Sequence, residues 1–275
     1  MQKHMQTSTA FAPANISLFF TIEEDPDPAK MGSKGAGFTL DGGVCARAAV
    51  ASADTTIYFN GECISFPTVE SVIDQLHAPK ISLELESNLP LGCGFGLSGA
   101  SALVTAYAIN DLCKLGKSRL ELAKTAHMAE IVNKTGLGDV VNQYFGGFCI
   151  KWVRSSEFTV DHLPLGGKTI YYNIFSPLST KKILTSSEKK GRITTAGNET
   201  LQRLKDMMKG NTPTLDDLFL LSKQFVMNAQ LIEDPLVLQT IEAIEKVGGR
   251  ATMILLGNGV VSTIPFQDSK PLLTI

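Results

Sequence analysis

Residues 89–102 read Leu89-Pro90-Leu91-Gly92-Cys93-Gly94-Phe95-Gly96-Leu97-Ser98-Gly99-Ala100-Ser101-Ala102, and an apolar helical pattern begins near Ser98. Glycines tolerate positive φ and let a ligand approach main-chain N–H groups closely. A helix N-terminus adds unpaired donors and the positive end of a dipole. Glycines this dense ahead of a helix therefore point to a phosphate-binding loop rather than to a plain turn into a buried helix. Gly94-Phe95-Gly96-Leu97-Ser98-Gly99 fits the dinucleotide pattern G-x-G-x-x-G. That pattern needs a second strand after the helix, with an acidic residue roughly 20 residues on. Here a second helical pattern follows, near 119–134. A Walker A loop lacks its Gly-Lys-Ser/Thr, and a protein-kinase loop lacks downstream His-Arg-Asp and Asp-Phe-Gly.

Bulk properties fit a globular enzyme. The chain has 275 residues, 44% of them apolar, and a formal charge of −2 with no basic block, so neither nucleic acid nor an anionic membrane is expected as a partner. No run approaches the ~18 apolar residues of a membrane span, and no signal-peptide pattern opens the chain. Cys45, Cys63, Cys93, Cys113 and Cys149 are odd in number and form no Cys-x-x-Cys pair. They read as reduced thiols in a cytoplasmic protein.

Outward from the loop, the first ten residues read as a loose extension, and 11–22 and 44–59 as strands. Asn60-Gly61 marks a type I′ hairpin. Ile81–Glu86 alternates with period two, which buries one face of a strand leading into the glycine loop. The helix of 98–115 is apolar nearly all round and should be buried. Ser118 and Glu121 form a capping box for the next helix, and Gly146–Val153 reads as a strand. Beyond Pro164-Leu165-Gly166-Gly167 come a strand at 168–175 and a helix-prone stretch at 186–209. A helix capped by Thr214 and Asp217 follows, then another opened by Asp234-Pro235 and stopped by Gly248-Gly249, and a final hairpin through Gly257-Asn258-Gly259. Strands grouped before paired helices give an α+β order, divided near residue 165 into 1–165 and 166–275.

Pro90 through Ala102 resembles the second motif of the GHMP kinase superfamily, which includes galactokinase, homoserine kinase and mevalonate kinase. Phe11-Ala12-Pro13-Ala14-Asn15-Ile16 resembles its N-terminal Ala-Pro-Gly-Lys segment without the Lys, and Thr135-Gly136-Leu137-Gly138-Asp139 resembles its Ser/Thr-Gly-x-x-Asp stretch. The C-terminal glycine motif is degraded, with Gly248–Met253 and Leu256–Gly259 in its place. Within the superfamily, Gly32-Ser33-Lys34-Gly35-Ala36-Gly37-Phe38 and the Gly-Cys-Gly-Phe-Gly-Leu-Ser-Gly-Ala loop are similar to the archaeal pantoate kinases.

The resemblance implies an N-terminal α+β ATP-binding domain, a ferredoxin-like C-terminal domain and a site between them. It also implies Mg²⁺-dependent transfer of the ATP γ-phosphate to pantoate in coenzyme A biosynthesis, and a homodimer as a possible assembly. Pro90, Gly92, Gly94, Phe95, Gly96, Ser98, Gly99 and Ala100 are the expected nucleotide-binding residues, the main-chain amides of Gly94, Gly96, Ser98, Gly99 and Ala100 forming the phosphate cradle. Ser98 and Glu130 are the expected metal ligands, with Ser101 a weaker candidate. Asp139 is expected to orient the attacking hydroxyl, and its lysine partner has no equivalent, Asn15 being nearest. For the substrate, the donors of Gly32–Gly37 with Ser33 and Lys34, together with His127 and Lys151, are the candidates. Each residue also has a plainer reading: a helix N-cap for Ser98 or Asp139, an i,i+4 pair with Lys134 for Glu130, a packed helical histidine for His127 and surface charges for Lys34 and Lys151. Another GHMP small-molecule kinase and a non-catalytic nucleotide sensor are the competing functions.

Overall fold

Ile81–Glu86 forms a strand with Ile81, Leu83 and Leu85 fully buried, as its alternation requires. The computed structural model describes residues 6–176 and 186–275. Within them, β1 (Thr7–Phe20) and β2 (Gly35–Val50) make a long antiparallel ribbon. Thr7–Ala10, expected to be loose, pair with Ala46–Ala49; residues 1–5 lie outside the described residues. Pro13 has no N–H to donate, and the register shifts between Pro13 and Asn15. Beyond the shift, Asn15 and Ser17 share one face of the strand. The glycines early in β2 concealed a strand, since glycine disfavours extended segments. Here they are required: a Cβ on Gly43 would run into the carbonyl of Ala12, and one on Gly37 would come 2.7 Å from the carbonyl of Ile16.

Three short strands follow: β3 (Thr56–Phe59), β4 (Glu62–Cys63) and β5 (Ile81–Glu86). Asn60 and Gly61 turn β3 into β4 at φ 50° and 82°, as a type I′ turn demands. The large sheet has seven strands in the order β4-β3-β5-β2-β6-β7, with β1 paired to β2, where β6 is Phe148–Lys151 and β7 is Asp161–Leu163. Four helices cover it: α1 (Pro67–Gln75), α2 (Leu97–Cys113), α3 (Arg119–Asn133) and α4 (Asp139–Phe145). Helix α2 packs on β1 and β2 and against all three other helices, which explains its apolar circumference. Both arms of the Ser118–Glu121 capping box form at the start of α3.

The second sheet is antiparallel, in the order β11-β8-β10-β9. Its strands are β8 (Thr169–Ser176), β9 (Ala251–Met253), β10 (Asn258–Ser262) and β11 (Lys270–Leu273), and α5 (Ser187–Met208), α6 (Leu215–Asn228) and α7 (Pro235–Lys246) lie between β8 and β9. The strand order is that of a ferredoxin-like sheet, with no helix between β10 and β11. One hydrophobic core runs through both halves. Phe225 of α6 packs on Phe19 and Phe20 of β1, with ring centroids 6.4 and 5.8 Å apart, and Ser222 of α6 donates to the Leu18 carbonyl at 2.6 Å. Among the described residues no helix is long and apolar enough to cross a membrane.

Candidate active site

The glycine loop crosses into left-handed backbone three times, at Gly92 (φ 77°), Gly94 (φ 83°) and Gly96 (φ 62°), conformations that an L side chain strains to adopt. Gly96 is the N-cap of α2 and offers no side chain to close the helix end. The first helical N–H groups lack intrahelical partners. The Ala100 amide already bonds the Gly96 carbonyl at 3.0 Å, so the open donors are those of Leu97, Ser98 and Gly99. Ala100 therefore cannot serve the phosphate cradle with its amide, because that amide closes the first turn of the helix.

The loop forms one wall of a cleft of about 330 Å³, lined also by Ser17, Ser33, Glu130, Thr135, Asp139 and Lys151. The turn between β9 and β10 closes this wall from the second sheet. A Cβ on Gly94 would lie 2.5 Å from the Leu255 carbonyl, and one on Gly257 would overlap the Cys93 carbonyl. Leu255 and Leu256 are thereby brought to the cleft.

Asp139 is the first residue of α4, whose N-cap is Gly138. Its Oδ1 accepts hydrogen bonds from Asn15 Nδ2 at 2.7 Å and Ser17 Oγ at 3.1 Å. Burial raises its pKa, opposed by the charge of Lys151 and by these two donors. Lys151, on β6, is 3% exposed and donates to Asn142 Oδ1 at 2.7 Å and to the Gly138 carbonyl at 3.2 Å. Desolvation lowers its pKa to about 8 against the favourable pull of Asp139.

Glu130, on α3, is fully buried, and neither carboxylate oxygen has a hydrogen-bond partner among the described residues. Burial, then the charge of Asp139, raises its pKa well above the ordinary carboxylate range, with Thr135 and Ser98 near enough to oppose the rise. Gly99 and Gly136 press on it: a Cβ at either would sit within 2.9 Å of a Glu130 oxygen. No pair with Lys134 forms, because Lys134 turns into left-handed backbone at the C-cap of α3 (φ 57°). An unpartnered buried carboxylate calls for a cation. With the Ser98 hydroxyl beside it, the oxygen-only donor set fits a hard divalent ion whose remaining ligands are phosphate and water.

Residues 65–147 match the family described as the GHMP kinases N terminal domain. The chain is 31% identical over 253 residues to the pantoate kinase of Methanocaldococcus jannaschii, covering 90% of this chain and 89% of that one. It is also 31% identical over 261 residues to the pantoate kinase of Methanospirillum hungatei, at 92% and 86% coverage. The chain belongs to the pantoate kinase family. A solved structure described as a phosphotransferase related to the CoA biosynthesis pathway superposes with a TM-score of 0.81 at 26% identity, over 93% of this chain and 86% of that one. Mevalonate pyrophosphate decarboxylase from Streptococcus pyogenes shares the fold, with a TM-score of 0.73 at 15% identity over 94% and 89% of the two chains.

In this pantoate kinase family member, the cleft gathers Gly92, Gly94, Phe95, Gly96, Ser98, Glu130, Asp139, Ser33 and Lys151. Pro90 is exposed outside its lining, and Gly99 and Ala100 are buried behind it. Ser101 is buried in α2, away from the lining. Ser98 and Asp139 are not N-caps.

Two of the residues expected on the substrate side lie away from the cleft. Lys34 pairs with Glu23 at 2.9 Å and does not line the cleft. His127 is also outside the lining; its ring sits edge-on to Phe158 at 5.7 Å, and burial lowers its pKa to about 4. The open donors expected along Gly32–Gly37 are spent as well. Gly32 bonds the Glu23 carbonyl, Ser33 the Ser155 hydroxyl, Lys34 the Thr21 hydroxyl, and Gly35–Gly37 lie in strand β2 between β1 and β6.

Sequence reasoning missed Ser17, Asn142, Gln143 and the Leu255–Leu256 turn. Gln143 Nε2 holds the Gly96 carbonyl at 2.8 Å. The one available signal was Ser17 two residues after Asn15, which a strand places on the same side.

Proposed function

We propose that this chain is an ATP-dependent pantoate kinase that phosphorylates the terminal hydroxyl of pantoate to give 4-phosphopantoate. One observation supports the reading above the others: a buried carboxylate, Asp139, stands at the glycine-loop end of a helix with open N–H donors, beside a buried lysine, in one cleft. Phosphoryl transfer needs positioning, charge neutralisation and an oriented nucleophile, and little covalent chemistry from the protein.

The open amides of Leu97 and Ser98, with the dipole end of α2, would hold the β- and γ-phosphates. Glu130 and Ser98 would hold Mg²⁺, which neutralises phosphate charge when bound. Asp139 keeps Oδ2 free to accept the hydrogen bond of the acceptor hydroxyl, while Asn15 and Ser17 fix the carboxylate from the other side. Lys151 places a positive charge where the acceptor carboxylate would lie. Phe19, Phe20, Leu255 and Leu256 give the apolar wall that the gem-dimethyl group requires. A sensor that had lost transfer would have no use for a buried, doubly hydrogen-bonded Asp139.

The test is ADP formation with pantoate, homoserine and mevalonate at matched concentrations. The reading predicts that pantoate stimulates turnover at least about 100-fold over the other two, as for sites built around buried polar groups. Turnover with homoserine or mevalonate alone would overturn the substrate, and tight Mg·ATP binding without any turnover would favour the sensor.

A further inference from the structure

Lys151 and Asp139 feel each other's charge, yet they form no direct ion pair among the described residues. Two carboxamides stand between them. Lys151 Nζ donates to Asn142 Oδ1 at 2.7 Å, Asn142 Nδ2 donates to Asn15 Oδ1 at 2.8 Å, and Asn15 Nδ2 donates to Asp139 Oδ1 at 2.7 Å. Asn142 is fully buried and Asn15 is 1% exposed. Room for the bridge is built in: a Cβ on Gly37 would lie 2.6 Å from Asn142 Nδ2.

The chemistry of the two ends fixes the direction of this chain. An ammonium only donates and a carboxylate only accepts. Asn142 must turn its oxygen to Lys151, so its nitrogen meets Asn15. Asn15 must then turn its oxygen to Asn142 and its nitrogen to Asp139. No other orientation of either amide satisfies all the bonds. The chain leaves each end incompletely satisfied. Lys151 has three protons and gives two of them, to Asn142 and to the Gly138 carbonyl. Both bonds to Asp139 fall on Oδ1.

We propose that Asn142, acting through Asn15, is a positioning residue that holds the Lys151 ammonium and the Asp139 carboxylate apart, so that an acceptor spans them with its anion on Lys151 and its reacting hydroxyl on Asp139 Oδ2. The inference rests on the kinase reading above and deepens it: the separation selects hydroxy acids over neutral alcohols. Without the Asn142 oxygen, Lys151 is free to close on Asp139. That contact would occupy both groups the acceptor uses.

The test compares the KM for pantoate with the inhibition constant of 2,2-dimethylpropane-1,3-diol, the pantoate skeleton without its carboxylate. The ratio of the two constants is a property of each active site and does not depend on the folded fraction. In Asn142→Ala, and in the near-isosteric Asn142→Asp, where the new carboxylate takes up the ammonium charge, the ratio of the diol's inhibition constant to the pantoate KM falls about tenfold or more, the worth of a charge-assisted hydrogen bond. The KM for ATP changes by less than about twofold, because uniform nucleotide binding is untouched. A residue with only a structural role would lower kcat and leave the ratio alone; a ratio within about twofold of the unaltered chain in both variants overturns the proposal. If the unaltered chain forms no ADP with pantoate, the kinase reading fails and this inference fails with it.

Discussion

At Lys151 the physical tension is plain. A lysine buried to 3% exposure should lose its proton, and only nearby anions keep it charged. Desolvation wins in part and sets its pKa near 8, down from 10.5, with Asp139 and then Cys149 pulling the other way. The charged form exists below that value, so kcat/KM for pantoate is flat near neutrality and falls as pH rises through about 8. Lys151→Arg, which keeps its charge, removes that limb; an alkaline limb unchanged in Lys151→Arg would show that another group causes it. Deprotonation of Lys151 does not itself destabilise the fold. Because the folded pKa is depressed, this lysine's contribution to stability rises between about 8 and 10.5. The sequence showed a lysine on a strand after paired glycines, and no sequence pattern told its burial from that of Lys34, which pairs with Glu23 near the surface. His127 lies away from the cleft for a related reason. Helical spacing puts it on the same side as Glu130, but Phe158, from a segment that sequence left unassigned, packs against its ring.

At the scale of elements, local chemistry was readable wherever one residue dictates one geometry. The alternation of Ile81–Glu86, the Asn60-Gly61 turn and the caps at Ser118 and Thr214 all formed as expected. Helix α1 was missed because its N-cap, Phe66, carries no capping side chain. The polar start of β1 and the glycine-rich start of β2 were missed because each is a strand only by virtue of the other. The glycine loop and the β9–β10 turn depend on each other in the same way. Gly92→Ala and Gly94→Ala separate the two contributions. Both adopt positive φ, but a Cβ on Gly92 meets nothing within 4 Å whereas one on Gly94 meets the Leu255 carbonyl and Ile254. Denaturant unfolding should show Gly92→Ala losing about 1–2 kcal/mol, the cost of left-handed backbone. Gly94→Ala should lose at least about 1 kcal/mol more, from overpacking. Equal losses would mean that the turn does not depend on its seat against the loop.

Across the whole molecule, the large sheet contributes Asn15, Ser17 and Lys151, its helices contribute the open amides, Glu130 and Asp139, and the small sheet contributes one apolar turn. We propose the link near residue 165 as the boundary between two domains. The aromatic contact of Phe225 with Phe19 and Phe20 fastens α6 to the strand that carries Asn15 and Ser17. An α+β architecture was legible from element order, but a cleft assembled from distant segments was visible only through family resemblance, since no local pattern reports which strands meet. Every contribution converges on Asp139, the group assigned to the reacting hydroxyl. The decisive measurement is therefore Asp139→Asn, which keeps the shape of the side chain, assayed for pantoate-dependent ADP formation alongside Mg·ATP affinity. The account predicts a loss of about 10²–10⁴ in kcat with nucleotide affinity held. Turnover within a few-fold of the unaltered enzyme would contradict it.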